Sequence, residues 1–192
     1  MGFSFSWIAV QGLTREQVLN ALGMEVSGVN TDYLEGIVLF DRPEGWLIVV
    51  SEDDRDAMEG SLSDLGPLAK IAVARGFNED KGYNVASGYA AGEALWSITV
   101  NPSRRVFSVV GQPPAQLDAI ISTAKAEQGN TETDLFFDIP AVLAESICGF
   151  RLGKSEPNAS PHVNLKSTGA KPATSVRNRQ KPGFFARLFG RG

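Results

Sequence analysis

Nucleophilic and metal chemistry draws on imidazoles, thiolates and grouped carboxylates, and this 192-residue chain is poor in the first two. It holds one histidine, His162, and one cysteine, Cys148. A Ser-His-Asp or Cys-His pair needs an imidazole held on rigid scaffolding beside its nucleophile. His162 falls in a stretch rich in Ser, Asn, Pro and Lys that reads as a solvated tail. Triad catalysis and His-based zinc sites therefore have no support. Cys148 ends an apolar helical pattern and reads as a buried structural thiol. A single cysteine allows no intrachain disulfide and no thiolate cluster, which suits a reducing cytoplasm. Neither the dinucleotide fingerprint nor a Walker A sequence occurs, and no cofactor is expected.

Carboxylates are the one chemical resource in good supply. Glu52, Asp53, Asp54, Asp56 and Glu59 crowd into SEDDRDAMEG. Asp54 and Asp56 imitate the opening of a calcium loop, but Met58 stands where the third ligand belongs, so no metal is expected. The run reads instead as a solvated acidic loop able to face a basic partner. Trp7, Trp46 and Trp96 fall in or at the start of strand-like runs and are expected in the core.

Charge is divided by position. Residues 1–150 carry 21 Asp and Glu against nine Lys and Arg, whereas residues 151–192 carry nine Lys and Arg against Glu156 alone. Three parts are expected: an acidic α+β domain over 1–152, a flexible linker over 153–180, and a basic-aromatic terminal segment over 181–192. In that last segment Phe184, Phe185, Leu188 and Phe189 gather on one face of a helix beside Arg187, a weak contact for a membrane surface or a hydrophobic groove. The acidic body would repel a phosphate backbone, which argues against nucleic acid. The N-terminus has no signal-peptide character, and no apolar run reaches the ~18 residues of a membrane span. The expected location is the cytoplasm.

The elements that must position these residues follow from periodicity and punctuation. Phe3–Val10 alternates like a half-buried strand, and Thr14 with Gln17 forms a capping box for a short helix that Gly23 stops. Strands are expected over Tyr33–Phe40 and Trp46–Val50, the latter covered on both faces, then a short helix at Ser61–Leu65. A meander follows, with strands at Ala69–Ala74, Tyr83–Tyr89, Ala94–Val100 and Arg105–Val110. Two helices close the domain, one from Pro113 to about Gln128 and one from Asp138 to Gly149. The prediction is an α+β fold: an antiparallel sheet of about six or seven strands packed against three or four helices.

FSWIAVQGLTREQVLNALGM, EGWLIVV, ALWSITV and FFDIPAVLAESICGF together resemble a set of small bacterial single-domain proteins of uncharacterised function. The resemblance covers roughly residues 3–152 and rests on packing motifs, with no catalytic signature. By analogy it implies a toxin-immunity-like protein that blocks a cognate toxin. The expected function is thus a non-catalytic protein-binding module, an immunity or inhibitor protein that meets a basic toxin through Glu52, Asp53, Asp54, Asp56 and Glu59. Two alternatives remain open: an enzyme or small-ligand protein using carboxylates over the sheet face, and a peripheral membrane adaptor acting through the terminal segment.

Overall fold

A computed structural model of the chain describes residues 4–30, 36–52, 64–91, 93–104, 106–130, 134–153 and 162–169. Among them, nine strands form one antiparallel sheet: β1 (Ser4–Gln11), β2 (Met24–Asn30), β3 (Ile37–Arg42), β4 (Trp46–Ser51), β5 (Ile71–Asn78), β6 (Tyr83–Ala90), β7 (Glu93–Asn101), β8 (Val106–Gly111) and β9 (His162–Ser167). Their order across the sheet is β2-β9-β3-β4-β1-β5-β6-β7-β8. Three helices accompany them: α1 (Arg15–Leu22), α2 (Gln116–Glu127) and α3 (Leu135–Cys148).

Period-two alternation gives the sheet two buried faces. On one, Trp7, Phe40, Ile48, Val73 and Ile98 pack against Leu117 of α2, Ile139 and Leu143 of α3, and Phe150. On the other, Ile8, Leu39, Val49, Ala72 and Val85 pack with Val18 and Ala21 of α1 and with Leu65. β4 is buried along its whole length, as expected of a doubly covered strand. Trp7, Trp46 and Trp96 are all core residues. Among the described residues no helix is long and apolar enough to cross a membrane.

α1 forms where its capping box specifies. Thr14 Oγ1 accepts from the Gln17 amide at 3.2 Å, and the Gln17 side chain accepts from the Thr14 amide at 2.8 Å. Gly23 then closes the helix in the left-handed region, at φ 62°. α3 begins earlier than its sequence suggests. Asp134 caps it by accepting from the Phe136 and Phe137 amides, and Pro140 lies inside the helix.

The expected strand count was too low by two elements with weak patterning, β2 and β9. β2 reads MEVSGVN, with Val26 and Val29 exposed and a bulge between Val26 and Gly28, so it shows little alternation. β9 runs through part of the stretch expected to be a flexible linker, and it corrects the reading of His162 as a solvated tail residue. Residues 162–167 insert between β2 and β3, and His162 is 2% exposed. Val163 and Leu165 complete the α1-side core. Polar neighbours hide these two apolar residues in the sequence, but alternation on a paired strand turns both inward. The terminal residues Phe184, Phe185, Arg187, Leu188 and Phe189 lie outside the described residues.

Candidate functional site

Catalysis through sulfur finds no footing. Cys148 is 5% exposed and donates to the Ala144 carbonyl at 3.3 Å. Burial pushes its thiol up to about 11, against opposing backbone hydrogen bonds near Phe150, so the thiolate is scarce at neutral pH. The reading of Cys148 as a structural thiol agrees with this geometry. No group of three or more His, Cys, Asp or Glu side chains able to hold a metal occurs among the described residues.

The polar cluster with the strongest perturbation is structural. Arg75, on central strand β5, is 5% exposed and lies over the rings of Phe5 and Phe77, its guanidinium carbon 4.9 and 5.7 Å from their centroids. Its Nε donates to Asn84 Oδ1 at 3.2 Å, and Asn84 Nδ2 donates to the Phe137 carbonyl at 2.7 Å. This chain ties the sheet to the first turn of α3. Burial lowers Arg75 to about 10, with Arg151 adding to the shift and Asp138 and Glu145 opposing it. Arg151 in turn grips Asp138 at 2.7 Å and Glu145 at 3.4 Å.

Exposed carboxylates stand at both ends of the sheet, Asp41, Glu44 and Glu93 at one and a second group at the other. The registers Ser6↔Ser51 and Ser4↔Asn78 set the end of β4 and the β5–β6 turn on either side of the start of β1. Glu52 is exposed there, and its carboxylate accepts from the Gly36 amide at 3.3 Å while its own amide donates to the Gly36 carbonyl at 3.4 Å. Glu79 and Asp80 are exposed on the β5–β6 turn. That turn is pinned from both sides: the Lys81 amide donates to Asn78 Oδ1 at 2.7 Å, and Asn101 Nδ2 donates to the Lys81 carbonyl at 3.3 Å. The Phe77–Phe137 ring contact of 5.7 Å brings the N-terminus of α3, with exposed Asp134, to the same end. Lys81 and Arg104 lie toward the β7–β8 side. The end is thus graded, acidic over β4, β1 and β5 and basic at its far corner.

Of the five sequence-predicted contact residues, Glu52 alone is described. Asp53, Asp54, Asp56 and Glu59 lie outside the described residues. Glu79, Asp80 and Asp134 were not anticipated as part of any surface, because NEDKG reads as turn chemistry and a capping aspartate reads as helix punctuation. The antiparallel register brings Glu79 and Asp80 to the end that holds Glu52, and the Phe77–Phe137 contact brings Asp134; no local signal carries either.

No protein-family model matches the chain, and no curated protein or solved structure does either.

Proposed function

We propose that this chain is a non-catalytic protein-binding module that meets a basic protein surface with the acidic end of its sheet, in the manner of an immunity or inhibitor protein. One observation carries the reading: of the described arginines of the body, four are turned inward or clamped and Arg104 alone stands exposed and unclamped at the far corner, while a group of carboxylates at the end of β4, β1 and β5 faces water. Arg75 is buried under two rings, Arg151 is held by two carboxylates, and Arg42 donates to the Gly149 carbonyl at 3.0 Å. Arg15 is paired with Asp41. Glu52, Glu79, Asp80 and Asp134 remain exposed at a single end. A group of outward carboxylates speeds encounter with a cationic partner and rejects anionic ones.

Charge reversal tests it. The partner is recovered with the wild-type protein as bait, and its association is then measured by stopped flow at low and high salt. Glu52→Lys combined with Asp80→Lys should slow association about tenfold or more at low salt and flatten the salt dependence. Glu44→Lys, in the turn between β3 and β4 at the other end of the sheet, should leave the rate close to wild type. Equal slowing by both changes, or by neither, overturns the acidic end as the contact surface.

A further inference from the structure

The two edges of the described sheet are built differently. β2 follows the usual rules for a guarded edge: it carries a bulge between Val26 and Gly28, and Glu25 pairs with Lys166 of β9 at 3.2 Å. β8 has none of these devices. Its sequence is VFSVVG, without charge or proline, and Val106, Phe107 and Val109 are 39%, 43% and 39% exposed. No described strand pairs its outer side.

The ladder on its inner side shows what that outer side offers. The Gln112 amide donates to the Leu95 carbonyl at 2.9 Å, in step with the register Trp96↔Gly111. Antiparallel pairs alternate between bonded and non-bonded. The main-chain groups of Val106, Ser108 and Val110 therefore face β7, and those of Phe107 and Val109 face outward. Their side chains divide the same way. Phe107 and Val109 stand opposite Val100 and Ile98, on the helix-covered face, while Val106, Ser108 and Val110 line the other.

We infer that β8 is a homodimer edge, pairing antiparallel with β8 of a second copy about a two-fold axis at Ser108; this goes beyond the proposed function and does not depend on it. The strand is a palindrome in character, with two apolar residues on each side of Ser108. Centred on that residue, Phe107 of one copy meets Val109 of the other as a bonded pair, and Val106 meets Val110 as a non-bonded pair. Each face of the joined sheet thereby gains an apolar cluster, and every outward amide of the central pair finds a carbonyl.

Charge agrees with the same arrangement. The turn before β8 carries exposed Arg104, whereas the far end of the β7–β8 hairpin carries exposed Glu93 and leads into α2 with Asp118 in its first turn. Antiparallel pairing sets the basic end of one copy beside the acidic end of the other. A parallel arrangement would set like beside like. One short strand pair buries less than the roughly 1,200 Å² of a standard interface, so dissociation falls in the micromolar range.

Sedimentation of the full chain across that range tests the dimer, and cysteine chemistry tests its register. Residues at a non-bonded antiparallel pair approach to about 4.5 Å between Cα atoms, within disulfide reach. Ser108→Cys lies on the axis and should cross-link to a dimer under mild oxidation. Phe107→Cys, facing Val109 of the other copy, should not. The native Cys148 is buried and does not interfere. Val109→Lys should weaken dimerisation about tenfold or more while its melting temperature, taken at a concentration where the wild type is monomeric, stays unchanged. A wild-type chain that sediments as a monomer throughout overturns the inference. So does a dimer that survives Val109→Lys and fails to cross-link through Ser108→Cys, which would place the contact on another face.

Discussion

Cys148 and Arg75 are both buried on the helix-covered face, yet burial moves their contributions to stability in opposite directions. The thiol rises from its ordinary 9.0 to about 11. Above pH 9 the unfolded chain therefore gives up a proton that the folded chain keeps, and stability falls as pH climbs toward 11. Arg75 is lowered to about 10, so above that pH the folded chain gives up a proton that the unfolded chain retains, and stability rises. The two partly cancel above pH 10, which leaves the decade below as the window for the thiol. Cys148→Ala should remove a decline of about 1 kcal/mol between pH 9 and 10. Urea midpoints of wild type and variant across that interval check it, and parallel curves would show that the thiol is not the cause. Below pH 9 Arg75 is cationic in either state, and its two rings and Asn84 compensate its desolvation without abolishing it.

At the scale of elements, the β7–β8 hairpin depends on a glycine more than on any apolar residue. Gly111 sits at φ +77°, and a Cβ built there would fall 2.1 Å from the Leu95 carbonyl oxygen. No flexible side chain can yield at that point, because the obstacle is main chain. Gly111→Ala should therefore cost about 2 kcal/mol or more and release the end of β8, read as a lowered melting temperature and faster hydrogen exchange at the Gln112 amide. Wild-type exchange at that amide would sink the argument. No reading of the sequence singled out that position. What was legible was local chemistry with a fixed offset: the Thr14–Gln17 capping box, the Gly23 stop, the doubly apolar β4, and the meander from β5 to β8. The start of α3 was misplaced because Asp138 and Pro140 look like a helix opening, while the actual cap, Asp134, precedes two phenylalanines that suggest a strand. β2 and β9 were missed because each needs the other. The acidic end was half legible: Glu52 stood out within its run, but its neighbours Glu79 and Asp80 come from a turn 27 residues or more away and meet it only through β1.

At the scale of the whole molecule, β9 belongs to the folded unit as a bridging strand. It is bonded on one side to β2, from Met24↔Ser167 to Asn30↔His162, and on the other to β3, from Ile37↔Leu165 to Leu39↔Val163. β2 has no other strand partner among the described residues. Beyond the ladder, the Thr168 hydroxyl and amide both donate to the Gly23 carbonyl, at 2.9 and 3.0 Å, so the strand is also fastened to the end of α1. A chain ending at Gly153 loses the burial of Val163 and Leu165, worth roughly 1.5–3 kcal/mol each. It also exposes both flanking ladders. Against a total stability of about 5–15 kcal/mol for a domain, that loss is large enough to unfold it or leave it marginal. A chain ending at Gly169 keeps every one of these contacts and should melt close to the full-length protein. Thermal and urea unfolding of the two truncated chains beside the full chain separates the cases. If the chain ending at Gly153 unfolded at the same midpoint as the one ending at Gly169, β9 would be an accessory strand laid on a finished sheet. The geometry argues the reverse: a segment more than 130 residues from β2 in sequence supplies the strand that joins β2 to the rest, and the sheet closes only when it arrives.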